Sequence, residues 1–361
     1  MQIWIVWLPN VGKSTLFNAL TKNYGADAQN FPFCTIEPNT GIVNVNDERL
    51  QKISDSVWAE KIIPANCEFI DIAGIVKWAS KWEGLWNKFL ANIRNADAIL
   101  QVVRIFENDD IIHVNWKVDP KDDIEVINAE LIMADIDTVE KRINSDWRKA
   151  KSDKKFQVVL DTYNKVFEDL NKWILVNDME LTDDEKEVLE DMHLLTNKKF
   201  VYACNVDEDM MDESEANLKK LLWITNPETR VVPISAKLEE DMLDMSLEEK
   251  AEFMADMWLK STGLDDLIKA SYDALGLEYY FTAWVQEVRA WTIKKGSTAP
   301  QTAWVIHTDF EKGFIKADRV NWADLVECGG WSKAREEWKV WLEWKEYIVQ
   351  DWDVLLFKFS N

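Results

Sequence analysis

From residue 1 to about 120, short apolar runs alternate with helical stretches: Ile3 to Leu8, Ser14 to Thr21, Glu68 to Ile72, Leu85 to Asn95 and Ala98 to Arg104. That alternation predicts an α/β unit on a largely parallel sheet. From Asp122 to Leu195 the strand signal stops. Ile132, Ile136, Val139 and Ile143 recur at helical spacing, and Phe156, Val159, Leu160, Tyr163, Val166, Phe167 and Leu170 form a second such stripe. Two long helices follow, an antiparallel pair that either packs inside one domain or stands out as an insertion. Their length and charged faces favour the insertion. Strand signals return at Lys199 to Val206 and Arg230 to Ile234, and Leu238 to Met257 reads as one or two solvated helices. Beyond Leu277 the chain turns β-rich, at Tyr279 to Ile293, Val305 to His307, Phe314 to Ala317 and Tyr347 to Phe359. The expected division is an α/β unit over 1–121 and 198–276, a helical insertion over 122–197, and a C-terminal domain over 277–361.

Placed on those elements, Asn10-Val11-Gly12-Lys13-Ser14-Thr15 follows a strand and opens a helix. This is the setting of a phosphate-binding loop. Amides at the helix N-terminus face phosphate oxygens, Lys13 reaches the β and γ phosphates, and Ser14 supplies a Mg²⁺ ligand. The full pattern begins with glycine, and here that position is Trp7. A capped helix start is the plainer alternative for the Gly-Lys-Ser-Thr tetrapeptide alone. Its partners follow in order. Asp71 ends a strand where a carboxylate holds the metal through water, and the Gly74 amide senses the γ-phosphate. Thr35 lies between, where a switch-loop threonine completes the metal shell. Asn205-Val206-Asp207-Glu208 occupies the place of a guanine-reading Asn-Lys-x-Asp, and Ser235-Ala236-Lys237 completes the series.

Charge narrows the partners. With 42 Lys plus Arg against 65 Asp plus Glu, the net charge of -23 excludes a chain that coats DNA or other nucleic acid non-specifically, so any RNA contact is local. Lys294 and Lys295, or Lys149, Lys151, Lys154 and Lys155, are the basic clusters available for one, with solvated loops as the alternative. The four cysteines, Cys34, Cys67, Cys204 and Cys328, make no Cys-x-x-Cys pair, which indicates neither a zinc site nor a disulfide framework. Met1 leads into a β-like run without a signal-like segment, and no stretch is apolar enough for a membrane. A soluble cytoplasmic protein with no membrane partner is expected.

Taken together, Leu8 to Thr21, Asn30 to Gly41, Asp71 to Arg94, Phe106 to Val114, Asn205 to Glu208, Arg289 to Thr292 and His307 to Ile315 resemble the Obg-like ATPases, also called the YchF family. These belong to the translation-factor-related G proteins. The resemblance implies a P-loop NTPase G domain of mostly parallel sheet, a helical coiled-coil insertion and a C-terminal β-grasp-like TGS domain. It further implies hydrolysis of ATP with Mg²⁺, with K⁺ as a candidate monovalent cation, and binding to the ribosome, through the large subunit or the whole particle.

The base preference has its own rationale. Guanine is selected by an aspartate accepting from its N1–H and amine, with a lysine beside the base; here Val206 replaces the lysine and the longer Glu208 the aspartate. Adenine loses nothing by this, and the family resemblance makes ATP the expectation, with a GTP-dependent translation factor left open by spacing alone as the alternative. The Val206 backbone and Asn205 are the expected base contacts. Signalling GTPases orient the attacking water with a glutamine where this chain has Ile75. That keeps open a nucleotide-loaded adaptor with negligible turnover. His113, which matches a histidine of the family motif, is the catalytic candidate for positioning water, against a structural histidine as the alternative; His193 and His307 are given no catalytic role.

One feature of the composition conflicts with all of this. Tryptophan numbers 20 and glycine 11, and tryptophan stands where the family motifs have glycine, at Trp7, Trp78, Trp82 and Trp86. Trp352 lies in Asp351-Trp352-Asp353, where Asp-Gly is the favoured hairpin turn. Together the two residue types make about 9% of the chain, near the usual sum. Most of these positions are therefore expected to be glycine in the natural protein. A codon such as UGA, read as glycine in some bacterial lineages, appears as tryptophan under a table that assigns it so.

Overall fold

Strands that carry unbroken apolar runs bury both faces, the signature of a parallel sheet covered by helices. The computed structural model describes residues 1–23, 39–71, 94, 96–107, 118–150 and 154–360. In chain order its strands are β1 (Gln2–Trp7), β2 (Asn39–Asn44), β3 (Ile62–Ile63), β4 (Asn66–Asp71), β5 (Ala98–Arg104), β6 (Lys199–Asn205), β7 (Arg230–Ile234), β8 (Leu277–Ala283), β9 (Val288–Lys294), β10 (Phe314–Asn321), β11 (Trp341–Glu343) and β12 (Asp353–Phe359). The helices used below are α1 (Lys13–Asn23), α2 (Glu48–Val57), α3 (Pro120–Ala150) and α4 (Lys154–Leu170).

The first compact unit comprises Met1–Ile42 and Glu68–Ala274. Its sheet runs β2-β4-β1-β5-β6-β7, with β4, β1, β5, β6 and β7 paired in parallel. Every residue of β5 is buried, as are all but the first of β1 and β6. The order reverses at β1, so the loops after β1, β5, β6 and β7 open at one edge, the usual place for a ligand in such a sheet. α3 begins on the sheet with buried Ile124, Ile127 and Leu131. Further on, Ile132 and Val139 of α3 form a core with Tyr163, Val166 and Leu170 of α4 and with Val176, Leu189, Met192 and Leu194. Asp135 of α3, fully buried, accepts from the Leu195 and Thr196 amides at 2.9 and 2.8 Å and from the Thr196 hydroxyl at 2.8 Å. The helical pair therefore has a hydrophobic core and a polar tie of its own, while its base shares the core of the sheet.

The second unit comprises Val43–Cys67 and Leu275–Asn361, so a stretch read from sequence as part of the α/β unit packs with the C-terminal chain. Its mixed sheet runs β11-β10-β12-β8-β9-β3. The link is physical: β3 adds in parallel to β9, and Tyr279 Oη donates to Asp47 at 2.7 Å. Burial pushes the Asp47 carboxyl up, but bonds from Arg49 and Tyr279 outweigh it and hold it below its ordinary range. The helix Ala299–Ile306 replaces the strand expected at Val305 to His307. Thr298 and Gln301 form a capping box with proline in the first turn, and that start signal overrides the β-like residues that follow. Tyr347 to Phe359 likewise yields only β12 as a strand, preceded by a single bridge from Ile348 to Thr298.

Five tryptophans, Trp58, Trp173, Trp223, Trp258 and Trp338, adopt left-handed φ values of 55 to 63°. Such a conformation costs a residue with a Cβ roughly 1–2 kcal/mol, so five together cost about 5–10 kcal/mol, comparable to the net stability of a whole domain. Trp352 is not among them, so its turn does not demand glycine on backbone grounds.

Candidate nucleotide-binding site

β1 delivers the chain to the sheet edge, and α1 starts at Lys13 with the Leu16 amide bonded to the Gly12 carbonyl at 3.0 Å. The loop between turns through Asn10 at φ 65° and Gly12 at φ 89°. Asparagine tolerates that region. Gly12 is required twice over, because a Cβ there would also run into the Asn205 side-chain amide. That amide donates to the Val11 carbonyl at 2.9 Å, while Asn205 Oδ1 accepts from the Ala236 amide at 3.1 Å. Asn205 therefore ties the phosphate loop to the turn after β7, across the end of β6. The same turn is fixed by Ser235, whose hydroxyl caps the helix Ala236–Asp241, and by Val206, whose amide donates to Ile234 at 2.9 Å. Val206 is buried. Glu208, exposed, pairs with the exposed Lys237 at 2.8 Å.

Arg104, a residue the motif reading passed over, ends β5 fully buried. Its guanidinium donates to the Asn10 carbonyl at 3.4 Å and the Phe106 carbonyl at 3.2 Å, and lies 4.4 Å from the Phe106 ring centroid. A cation closing a strand whose every residue is buried is the feature that marks it.

On the phosphate side, Lys13 Nζ sits 2.8 Å from Asp71 Oδ2 and 4.2 Å from the centre of the Trp7 ring. Asp71 ends β4, and its Oδ1 is buried without a hydrogen-bond partner among the described residues. Burial pushes its carboxyl up, against the pull of Lys13. The orphaned oxygen of Asp71, a carboxylate bonded to Lys13, and the exposed hydroxyl of Ser14, the next residue along, are hard oxygen donors of the kind Mg²⁺ takes when phosphates supply the rest. The residues fit the ion. Trp7 is buried and ends a regular strand, so its conflict with the loop is one of volume rather than backbone.

The structure thus gathers Asn10, Val11, Gly12, Lys13, Ser14, Thr15, Asp71, Asn205, Val206, Glu208, Ser235, Ala236 and Lys237 around one sheet edge. Thr35, Gly74, Ile75 and His113 lie outside the described residues, as do Trp78, Trp82 and Trp86. Among the described residues no helix is long and apolar enough to cross a membrane.

The chain is similar to known proteins along its length. Residues 2–160 match the family model described as a 50S ribosome-binding GTPase. Residues 277–360 match the YchF GTPase C-terminal model, described as a protein of unknown function. The chain is 49% identical over 360 residues to the ribosome-binding ATPase YchF of Bacillus subtilis (strain 168), covering 99% of this chain and 98% of that one. Over 358 residues it is 49% identical to the ribosome-binding ATPase YchF of Escherichia coli O157:H7, with the same coverage. The solved YchF GTPase of Schizosaccharomyces pombe superposes with a TM-score of 0.84 at 34% identity, covering 99% of this chain and 97% of that one. With its G-domain elements in order and relatives matched along its whole length, the chain belongs to the YchF family.

Proposed function

We propose that this chain binds ATP with Mg²⁺, hydrolyses it to ADP and phosphate, and associates with the ribosome in the cytoplasm as a nucleotide-controlled regulator linked to translation or stress. The bacterial relatives are named ribosome-binding ATPases and the yeast structure a GTPase, so the base must be argued from this chain's residues. The observation that carries ATP is the loop after β6. A guanine clamp needs a free carboxylate and a lysine along the base, whereas here Glu208 is held by Lys237 and the lysine position is the buried Val206. Adenine is read instead by the backbone near Val206, beside an Asn205 whose amide already braces the phosphate loop.

In the assigned roles, the amides of Asn10 to Thr15 hold the β and γ phosphates and Lys13 leaves Asp71 to pair with them. Ser14, Asp71 and Thr35 would hold Mg²⁺, which supplies neutralisation of the charge developing on the phosphate oxygens. Gly74 senses the γ-phosphate, and His113 orients water in place of the missing glutamine. A monovalent cation such as K⁺ belongs to the same proposal, as does the division into a G domain (1–121 and 198–276, apart from the Val43–Cys67 stretch that packs in the second unit), a coiled-coil insertion (122–197) and a TGS domain (277–361).

Turnover of ATP and GTP measured side by side on the chain with glycine restored at Trp7, with and without Mg²⁺, tests the reading. Metal-dependent ATP hydrolysis exceeding GTP hydrolysis is expected, and the reverse order would make this a GTP-dependent factor. Binding without turnover would favour the adaptor, an outcome to which Ile75 points. His113→Ala should lower kcat by about 100-fold with ATP affinity nearly intact, because water positioning acts in the transition state. Co-sedimentation with ribosomes should weaken when Lys294 and Lys295, both exposed, are neutralised.

A further inference from the structure

The helix C-termini carry a feature that no motif marks. After Trp58, Trp173, Trp223, Trp258 and Trp338, the next residue's amide donates back five residues: Ala59 to Ser54 at 3.1 Å, Ile174 to Asp169 at 3.1 Å, Ile224 to Lys219 at 2.9 Å, Leu259 to Met254 at 2.9 Å and Lys339 to Ala334 at 2.9 Å. This is the Schellman closure, whose left-handed residue is ordinarily glycine. The chain's own glycine makes the same closure: Gly329 has φ 70°, and the Gly330 amide donates to Leu325 at 3.1 Å. Among the described residues, the other non-glycine positions with positive φ are Asn10 and His193.

Nor do these five side chains gain by burial. Trp258 is 93% exposed, Trp338 87% and Trp58 84%, an unusual fate for the largest apolar side chain. Trp223 has Lys121 4.3 Å from its ring centre, a surface contact that tryptophan is not needed to make. Other tryptophans behave as tryptophans do. Trp291 donates its indole N–H to Thr282 Oγ1 at 2.9 Å and Trp331 to the Ala283 carbonyl at 2.9 Å, each part-buried.

We propose that the polypeptide made in the cell carries glycine in place of Trp58, Trp173, Trp223, Trp258 and Trp338, and retains Trp291 and Trp331. Side-chain chemistry offers no route between the largest residue and the smallest. The link is at the codon: UGA differs from the tryptophan codon UGG in its last base and from the glycine codon GGA in its first. A glycine-charged tRNA reading UGA therefore accounts for glycine at these five left-handed helix ends. It leaves tryptophan where an indole is built in. The assignment stands on backbone geometry and is independent of the ATPase reading.

Peptide sequencing by tandem mass spectrometry on the protein isolated from its own cells tests it. Glycine at the five helix ends with tryptophan at 291 and 331 is expected. Tryptophan at the five, or glycine at the two hydrogen-bonded sites, overturns it. A recombinant pair gives a second readout. Replacing the five with glycine should raise the melting midpoint by on the order of 10 °C, and Trp291→Gly or Trp331→Gly should lower it. Folding only after the five replacements counts in favour, and an unchanged or lower midpoint counts against.

Discussion

At the base-reading end of the site, Asn205, Val206, Ser235 and Ala236 are held by bonds to one another and to the loop after β1, with no tryptophan among them. At the phosphate end, Lys13 is folded back on Asp71 and over the Trp7 ring. The first region is braced by its own bonds; on the proposed reading the second must release Lys13 from Asp71 to receive phosphate. The difference follows from what each must touch. A base is flat and is read by a few edge contacts that ordinary residues supply. Phosphates need backbone to approach them closely, and that requirement falls on glycine.

The sharpest way to break the comparison is at Lys13. In a Trp7→Gly chain, Lys13→Ala should weaken ATP binding by about 100-fold, since a charge-assisted contact to phosphate is lost. Equal affinity by calorimetry would show that the phosphates are held elsewhere. A smaller effect is expected at the base end. Val206→Lys with Glu208→Asp rebuilds the guanine clamp and should shift the ATP to GTP affinity ratio by about 10-fold towards GTP. An unchanged ratio would mean that backbone alone reads the base.

A separate effect, on stability rather than on binding, concerns the scaffold behind the Ser-Ala-Lys turn. Glu239 is buried and accepts from the Leu264 amide at 3.1 Å, while its Oε2 has no partner among the described residues. Burial pushes its carboxyl from 4.5 to about 7, with the Leu264 and Gly263 amides opposing. The folded state then holds a proton that the unfolded state has lost, so stability falls as pH rises from 4.5 to about 7 and levels above it. The span is on the order of 3 kcal/mol. Glu239→Gln, which keeps the acceptor and removes the charge, should flatten that slope. A slope of the same size in thermal melts across this range would place the proton on another group.

Much of this was legible in sequence. Arg230–Ile234 and Ala98–Arg104 are strands with the expected bounds, because short, mostly apolar runs rich in valine and isoleucine leave little choice. The described motif residues, Asn10 to Thr15, Asp71, Asn205, Val206, Glu208 and Ser235 to Lys237, meet at one edge because the parallel order of the sheet brings distant loops together. What was not legible depended on partners far along the chain. The membership of Val43–Cys67 in the second unit rests on Asp47 meeting Tyr279, a pairing 232 positions apart that no local pattern announces. The helix at Ala299 was misread because the apolar β-like residues of Val305 to His307 were weighed without the capping box before them. The left-handed helix ends were missed because Schellman closure is invisible when its usual glycine is written as tryptophan.

Titration of Mg²⁺-ATP into the chain with Trp7 and into its Trp7→Gly counterpart tests most directly whether this edge is a phosphate site. The account predicts ATP binding with glycine at that position, and weak or no binding with the indole packed against Lys13. Equal affinity in the two chains, or no affinity in either, would contradict it.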